Sequence, residues 1–312
     1  MPATLFGFVW RISARHQVAL CALSVTVFAL SAVPLELQRR IVNDAIAKGA
    51  LDQILWLALA YAAVALLEGG VKLWLNIYRS WVSEAAVRYL RRRVGELTGP
   101  APAAEDSAKA GGVSISMMLS ESEPIGGFVG ASISEPLLQG GVLLSVFGYL
   151  AYLEPWMALL SLAVFSPQLV FVPLMQSAIN QRAAARIQTL REVSGGMVGA
   201  TSGDAAHAVE QSGQIDHVFR LNMGIFKLKF SMNFLMNLMH HLGVATVLGV
   251  GGWYAVQGRI EIGTVVAFVS GLAKVNDPWG DLVNWYRDMT VTEMRYKLVA
   301  EAMRKLEAKP AA

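Results

Sequence analysis

The chain of 312 residues is 54% hydrophobic and only 16% charged, with a mean hydropathy of +0.46, whereas a soluble domain is about one quarter charged. That balance excludes a soluble globular protein and points to an integral membrane protein. The net charge of +3 gives no support for nucleic-acid binding, and a single cysteine, Cys21, excludes an internal disulfide, so helix packing must hold the fold.

Met1 to Trp10 is apolar and leads into Arg11, Arg15 and His16, which predicts an interfacial helix over residues 1–16 on the cytoplasmic surface. Val18 to Leu37 reads as the first span. Its charged lead and VALCALSVTVFALSA also have the outline of a cleavable signal, but the apolar run is longer than a signal core and further spans follow, which favours a retained helix. After a short loop from Arg39 to Asp52, Gln53 to Tyr78 forms the second span, and no Gly or Pro follows until Gly95. The predicted helix is therefore about 45 residues, or roughly 67 Å, about twice the hydrocarbon thickness.

GPAPAAEDSAKAGG breaks the pattern, as turn-rich composition does. Helical periodicity resumes near Ser114 and enters the membrane at Phe128 as a third span, which ends near Tyr152. A tight Glu154-Pro155 hairpin starts the fourth span, Trp156 to Gln176, whose basic continuation runs to GGMVGATSGD. The following segment climbs into a fifth span, Phe230 to Val256, and the QGRIEIG turn leads to Ile262. From Ile262 to Leu306 a sixth span continues as a charged rod, with Pro278 the only strong helix breaker after its first turn. Residues 307–312 form a short tail.

The expected fold is therefore all-α, with six spans from 17 to 306 extended into the cytoplasm and two long cytoplasmic hairpins. Of the 26 basic residues, Arg39, Arg40, Lys48 and Arg259 fall on the outer side and Lys72 and Lys274 within spans. The rest lie with the hairpins and termini, which the positive-inside rule makes cytoplasmic.

Six spans in this order, long helical extensions, two hairpins broken at their tips, and a closing segment with Gly263 to Phe268 and then Pro278 resemble the transmembrane half of an exporter-type ATP-binding cassette (ABC) transporter. The resemblance covers nearly the whole chain. It implies a permease working as a dimer of identical or different halves, driven by a cytoplasmic ATPase subunit or domain. It also implies a multi-pass location in the plasma membrane, or the inner membrane of a bacterium. In that family each hairpin tip carries a coupling helix docked on the ATPase. Here the tips fall at Ala101 to Lys109, with Ala101, Pro102, Glu105 and Asp106, and at Thr201 to Val209, with Thr201, Asp204 and His207. After the first tip, Gly112 is followed by Ser122 and Glu123 where the family often has an Asp, and the usual Arg is missing.

No Gly-x-x-x-x-Gly-Lys-Ser/Thr loop occurs in these residues, so nothing here cradles phosphates as an ATPase must. ATP and Mg are expected on the partner and no cofactor in this chain. Val193 to Met197, VSGGM, superficially matches an ABC ATPase signature but lacks its flanking motifs, and is read as the end of a helix.

Charges at bilayer depth are costly and face protein or water, which makes Glu68, Lys72, Glu135, Lys274, Asp277 and Asp281 candidates for the substrate pathway. Glu68 and Lys72 stand four apart in the favourable order for an intrahelical pair, which reads first as structural neutralisation and second as proton coupling or substrate contact. Glu135 either pairs with a base on another helix or lines the pathway. Lys274, Asp277, Asp281, Trp285 and Asp288 share one narrow helical sector, either as a water-lined face or as pairing between Lys274 and the aspartates. His240 and His241 are adjacent and diverge around a helix, a poor metal geometry. Met232, Met236 and Met239 form a stripe that reads as packing. Alternatives to a permease are an ion-coupled secondary carrier using Glu68, Lys72 or Asp277, although no inverted repeat is visible, and a membrane scaffold subunit that transports nothing.

Overall fold

The computed structural model describes residues 2–46, 49–98, 121–199 and 205–307, and among these there are helices and short turns but no strand. Helix α1, Leu5–Ser31, is capped by the Thr4 side chain, which accepts from the Gly7 amide at 3.1 Å. It leaves helical geometry once, at Ser13 (φ −132°, ψ 20°). Helix α2, Val33–Arg40, follows with Pro34 in its first turn and ends in a π-helical turn, Ile41–Ile46. Helix α3, Leu51–Thr98, has 48 residues and is about 72 Å long.

Residues 121–131 form α4 and Ser134–Leu153 form α5, separated by a turn at Ser132 and Ile133. Glu154 alone is extended (φ −154°, ψ 100°) before Pro155 opens α6, Pro155–Phe165. Then come α7, Gln168–Gly199, α8, Ala205–Thr246, a π-helical turn, Val247–Gly251, α9, Gly252–Val256, and α10, Ile262–Glu307.

Among the described residues, five helical stretches are long and apolar enough to cross a bilayer: Leu5–Asp44, Leu51–Glu96, Glu121–Leu153, Pro155–Leu190 and Ser212–Val256. The chain is thus a multi-pass, membrane-embedded helical protein. Helix α10 is not among the five, because its apolar run from Ile262 to Ala273 meets Lys274, Asn276 and Asp277.

Several boundaries differ from the sequence expectation. The third and fourth spans are not single helices: the first breaks at Ser132 and Ile133, the second at Ser166 and Pro167. Pro136 accounts for the first break: it has no N–H for the Ser132 carbonyl and its ring crowds that carbonyl, so it stands in the opening turn of a new helix. The VSGGM run lies inside α7, which continues to Gly199, so Gly195 and Gly196 do not end the helix. Pro278 sits inside α10. The first hairpin tip, with Ala101, Pro102, Glu105 and Asp106, lies outside the described residues, as do Thr201 and Asp204; His207 falls on α8.

The chain divides into two compact units, residues 1–154 with 255–312, and residues 155–254. In the first, Leu5, Phe8 and Val9 are buried with Leu90, Tyr296 and Met303 in one core. The N-terminal segment, expected on the membrane surface, therefore commits this apolar face to α3 and α10. Tyr296 donates its hydroxyl to the Pro2 carbonyl at 2.8 Å.

Helices α3 and α4 approach closely because Gly126 and Gly130, four apart, present no side chain. A Cβ on Gly126 would strike Val87, and one on Gly130 would strike the Arg79 carbonyl and Ser83. The α4–α5 break leaves carbonyls that other helices satisfy. Gln17 Nε2 donates to Val129 O at 2.8 Å, Ser24 Oγ to Ser134 O at 3.2 Å, and Trp285 Nε1 to Ser132 O at 3.2 Å. Ser132 O is the carbonyl that Pro136, having no N–H, cannot serve.

At the other end of this unit, Glu36 accepts from Arg39, Arg40 and, at 2.6 Å, Tyr149. Asn43 donates to Glu261 and accepts from the Gly263 amide at 2.7 Å. These bonds join α2, α5 and the start of α10.

In the second unit α7 and α8 pair antiparallel, with Arg182 Nη1 on the Gly224 carbonyl at 2.9 Å and Arg186 Nη1 on Asn222 at 3.2 Å. Met157, Phe165, Val172 and Val247 are buried there, while Leu159, Phe230 and Phe234 remain exposed, as lipid-facing side chains would be.

Candidate functional site

Within the first unit, α1, α3, α5 and α10 enclose a cavity of about 280 Å³ whose walls include Glu68, Lys72, Lys274, Asp277 and Asp281. Five of the six membrane-depth charges singled out in the sequence therefore meet in one place. The sixth, Glu135, is one hydrogen bond away through Gln139, which is also on the wall.

Four of these six charges, Glu68, Glu135, Lys274 and Asp281, have an identifiable partner among the described residues. Lys274 Nζ donates to the Ser31 carbonyl at 2.9 Å and lies 3.5 Å from Glu68 Oε2. Ser31 closes α1, so the ammonium sits at the negative end of that helix dipole. Glu135 pairs with Arg79 Nη1, and Arg79 Nε donates to Ser134 Oγ at 3.1 Å. Arg79 Nη2 is buried without a hydrogen-bond partner among the described residues. Gln139 Nε2 donates to Glu135 Oε1 at 2.7 Å and to Asp281 Oδ2 at 3.0 Å, bridging carboxylates on two helices.

Two expectations change. Glu68 takes its ion pair from Lys274 on α10, not from Lys72 one turn along its own helix. Lys274 correspondingly reaches Glu68 and Ser31 rather than Asp277 or Asp281. Lys72 lines the cavity and takes no hydrogen bond or ion pair among the described residues. The shared sector of α10 divides: Lys274, Asp277 and Asp281 line the cavity, Trp285 stacks near Phe128 (6.5 Å), and Asp288 pairs with Arg287. His240 and His241 meet edge to face at 5.5 Å.

Arg79 and Gln139 were missed in the sequence. Arg79 directly follows the apolar run of α3 and was counted with the cytoplasmic bases. Its useful signal was an acid, Glu135, near the start of the next span. Gln139 lies one turn beyond Glu135, where its amide reaches the same face.

Chemically the cavity offers both signs of charge and amide donors in an apolar surround, which suits binding of a polar solute or proton movement between carboxylates. Compared with protein-family models and with curated proteins, the sequence matches none.

Proposed function

We propose that this chain is the permease half of an exporter-type ABC transporter. It has six spans with both termini cytoplasmic, works as a dimer with an identical or different half, and is driven by ATP and Mg on a partner ATPase. The observation that carries this reading is the pairing of a charged cavity at membrane depth with helices that outrun the membrane. Helices α3, α8 and α10 have 48, 42 and 46 residues, each about twice the length needed to span the hydrocarbon core. Of these, α3 and α10 supply cavity walls, and rigid rods of their length can carry motion at a cytoplasmic ATPase to that cavity.

Treating α10 as the sixth span is supported by its polar contacts. Lys274 meets Glu68 and Asp281 meets Gln139, so charges that lower its hydropathy are turned to protein rather than lipid. A second reading, an ion-coupled carrier, draws on Glu68, Asp277 and Asp281, whose carboxyl groups line the cavity and can each take up and release a cation or proton.

Two measurements separate the readings. Cysteines placed within 101–109 and 201–209 should crosslink to a co-expressed ATPase subunit, while cysteines within 48–52 should not. Transport in vesicles should stop when the ATPase is inactivated. Equal crosslinking from both ends, or transport that persists on an ion gradient alone, would overturn the ABC reading.

A further inference from the structure

Where the N-terminal part of α1 lies against the far extension of α3, they border a second cavity, of about 520 Å³, lined by Pro2, Phe8, Arg11, Ile12, Tyr89, Arg92, Arg93 and Glu96. It is separate from the charged cavity described above and shares none of its residues. Its walls carry three guanidinium groups and one carboxylate, a formal excess of +2. Glu96 is engaged with Arg93 at 3.2 Å. Arg11 and Arg92 take no ion pair or hydrogen bond among the described residues.

Both arginines are exposed on the rim of one cavity without an acidic partner among the described residues, and the remaining lining, Pro2, Phe8, Ile12 and Tyr89, carries no charge. Phe8 is buried and its ring lies 6.4 Å from that of Tyr89, so the site has a firm apolar floor beside its charges. The volume falls within the roughly 300–1,000 Å³ of small-molecule sites and exceeds what a single inorganic phosphate fills. Planar guanidinium forks match phosphate oxygens with paired hydrogen bonds, which a lone lysine cannot do.

We propose that Arg11 and Arg92 form a binding site for a phosphate-bearing anion, with Tyr89 and Phe8 flanking the group attached to the phosphate. The phosphate comes either from a soluble organic phosphate or from the headgroup of an anionic phospholipid. Tyr89 lies 11 residues past Tyr78, about 16 Å along the helix, and the site is independent of what the membrane cavity carries.

The test uses the full chain purified in detergent. One arm titrates inorganic pyrophosphate by calorimetry; the other titrates dioctanoyl phosphatidylglycerol, with dioctanoyl phosphatidylcholine as the zwitterionic comparison. Saturable binding of pyrophosphate, or of phosphatidylglycerol over phosphatidylcholine, is expected. The Arg11→Gln/Arg92→Gln variant should lose at least tenfold in affinity, while Arg88→Gln, which removes a charge from the same helix outside the cavity, keeps the wild-type value. Binding of pyrophosphate assigns a soluble ligand, and binding of phosphatidylglycerol alone assigns a lipid. Failure of both probes to bind, or equal losses in the double variant and Arg88→Gln, would overturn the site. A circular-dichroism melt unchanged from wild type separates lost binding from lost folding, and Arg11→Lys/Arg92→Lys, which keeps charge but not the fork, should retain only part of the affinity.

Discussion

Replacing Lys274 by Met tests the central pairing of the membrane cavity. The ammonium donates to the Ser31 carbonyl at 2.9 Å and lies 3.5 Å from Glu68, with the two side chains 31% and 23% exposed. Removing one partner of a buried pair costs about 3–5 kcal/mol, because the other charge is stranded. Partial exposure moves the expectation to the lower end, about 3 kcal/mol. Glu68→Gln should cost less, because Lys274 keeps its bond to Ser31. In the double variant neither charge is stranded, so the cycle should return a coupling of about 1.5 kcal/mol, within the range for residues in contact. The same cycle with Lys72→Met should give less than about 0.5 kcal/mol, since Glu68 pairs across helices rather than along its own. The assay is equilibrium unfolding in mixed micelles followed by tryptophan fluorescence, for which the chain's 8 tryptophans provide signal. A Glu68–Lys72 coupling equal to or above that of Glu68–Lys274 would refute the cross-helix arrangement.

Gly130→Leu should destabilise the fold by about 2 kcal/mol or more in the same assay, because its side chain meets the Arg79 carbonyl, whereas Gly127→Ala, which points into open space, should be neutral. Tyr296→Phe should cost about 1 kcal/mol for the lost bond to Pro2. Burial pushes the Tyr296 hydroxyl up to about 12, so its protonated form is favoured in the folded state. That contribution is fully present below the ordinary tyrosine value near 10 and is lost as pH rises to about 12; the alkaline loss in that window should be smaller in Tyr296→Phe. Finally, with Cys21 replaced by Ala, single cysteines from 273 to 288 should react with an impermeant thiol reagent fastest at 274, 277 and 281, in inside-out vesicles. Uniform labelling, or none, would remove the water-lined face of α10.

Composition alone determined that the chain enters a membrane, because 54% hydrophobic residues cannot be hidden in a water-soluble fold of this length. The reach of α3 was equally legible: it has 48 residues where about 45 were expected, because neither Gly nor Pro occurs between Tyr78 and Gly95 to stop the helix after its apolar run. The intramembrane charges could be picked out one by one, since each violates the hydropathy of its own helix. Their partners could not. Glu68 and Lys72 satisfy every local rule for an intrahelical pair, yet Glu68 takes Lys274, 206 positions away, because the packing of α3 against α1 and α10 brings that ammonium and the end of α1 together. The same holds for the break at Ser132. Pro136 announces a freed carbonyl in the sequence, and only the tertiary structure supplies Trp285 to satisfy it. Local periodicity is written in neighbouring residues, whereas charge neutralisation in a membrane depends on which helices become neighbours in space.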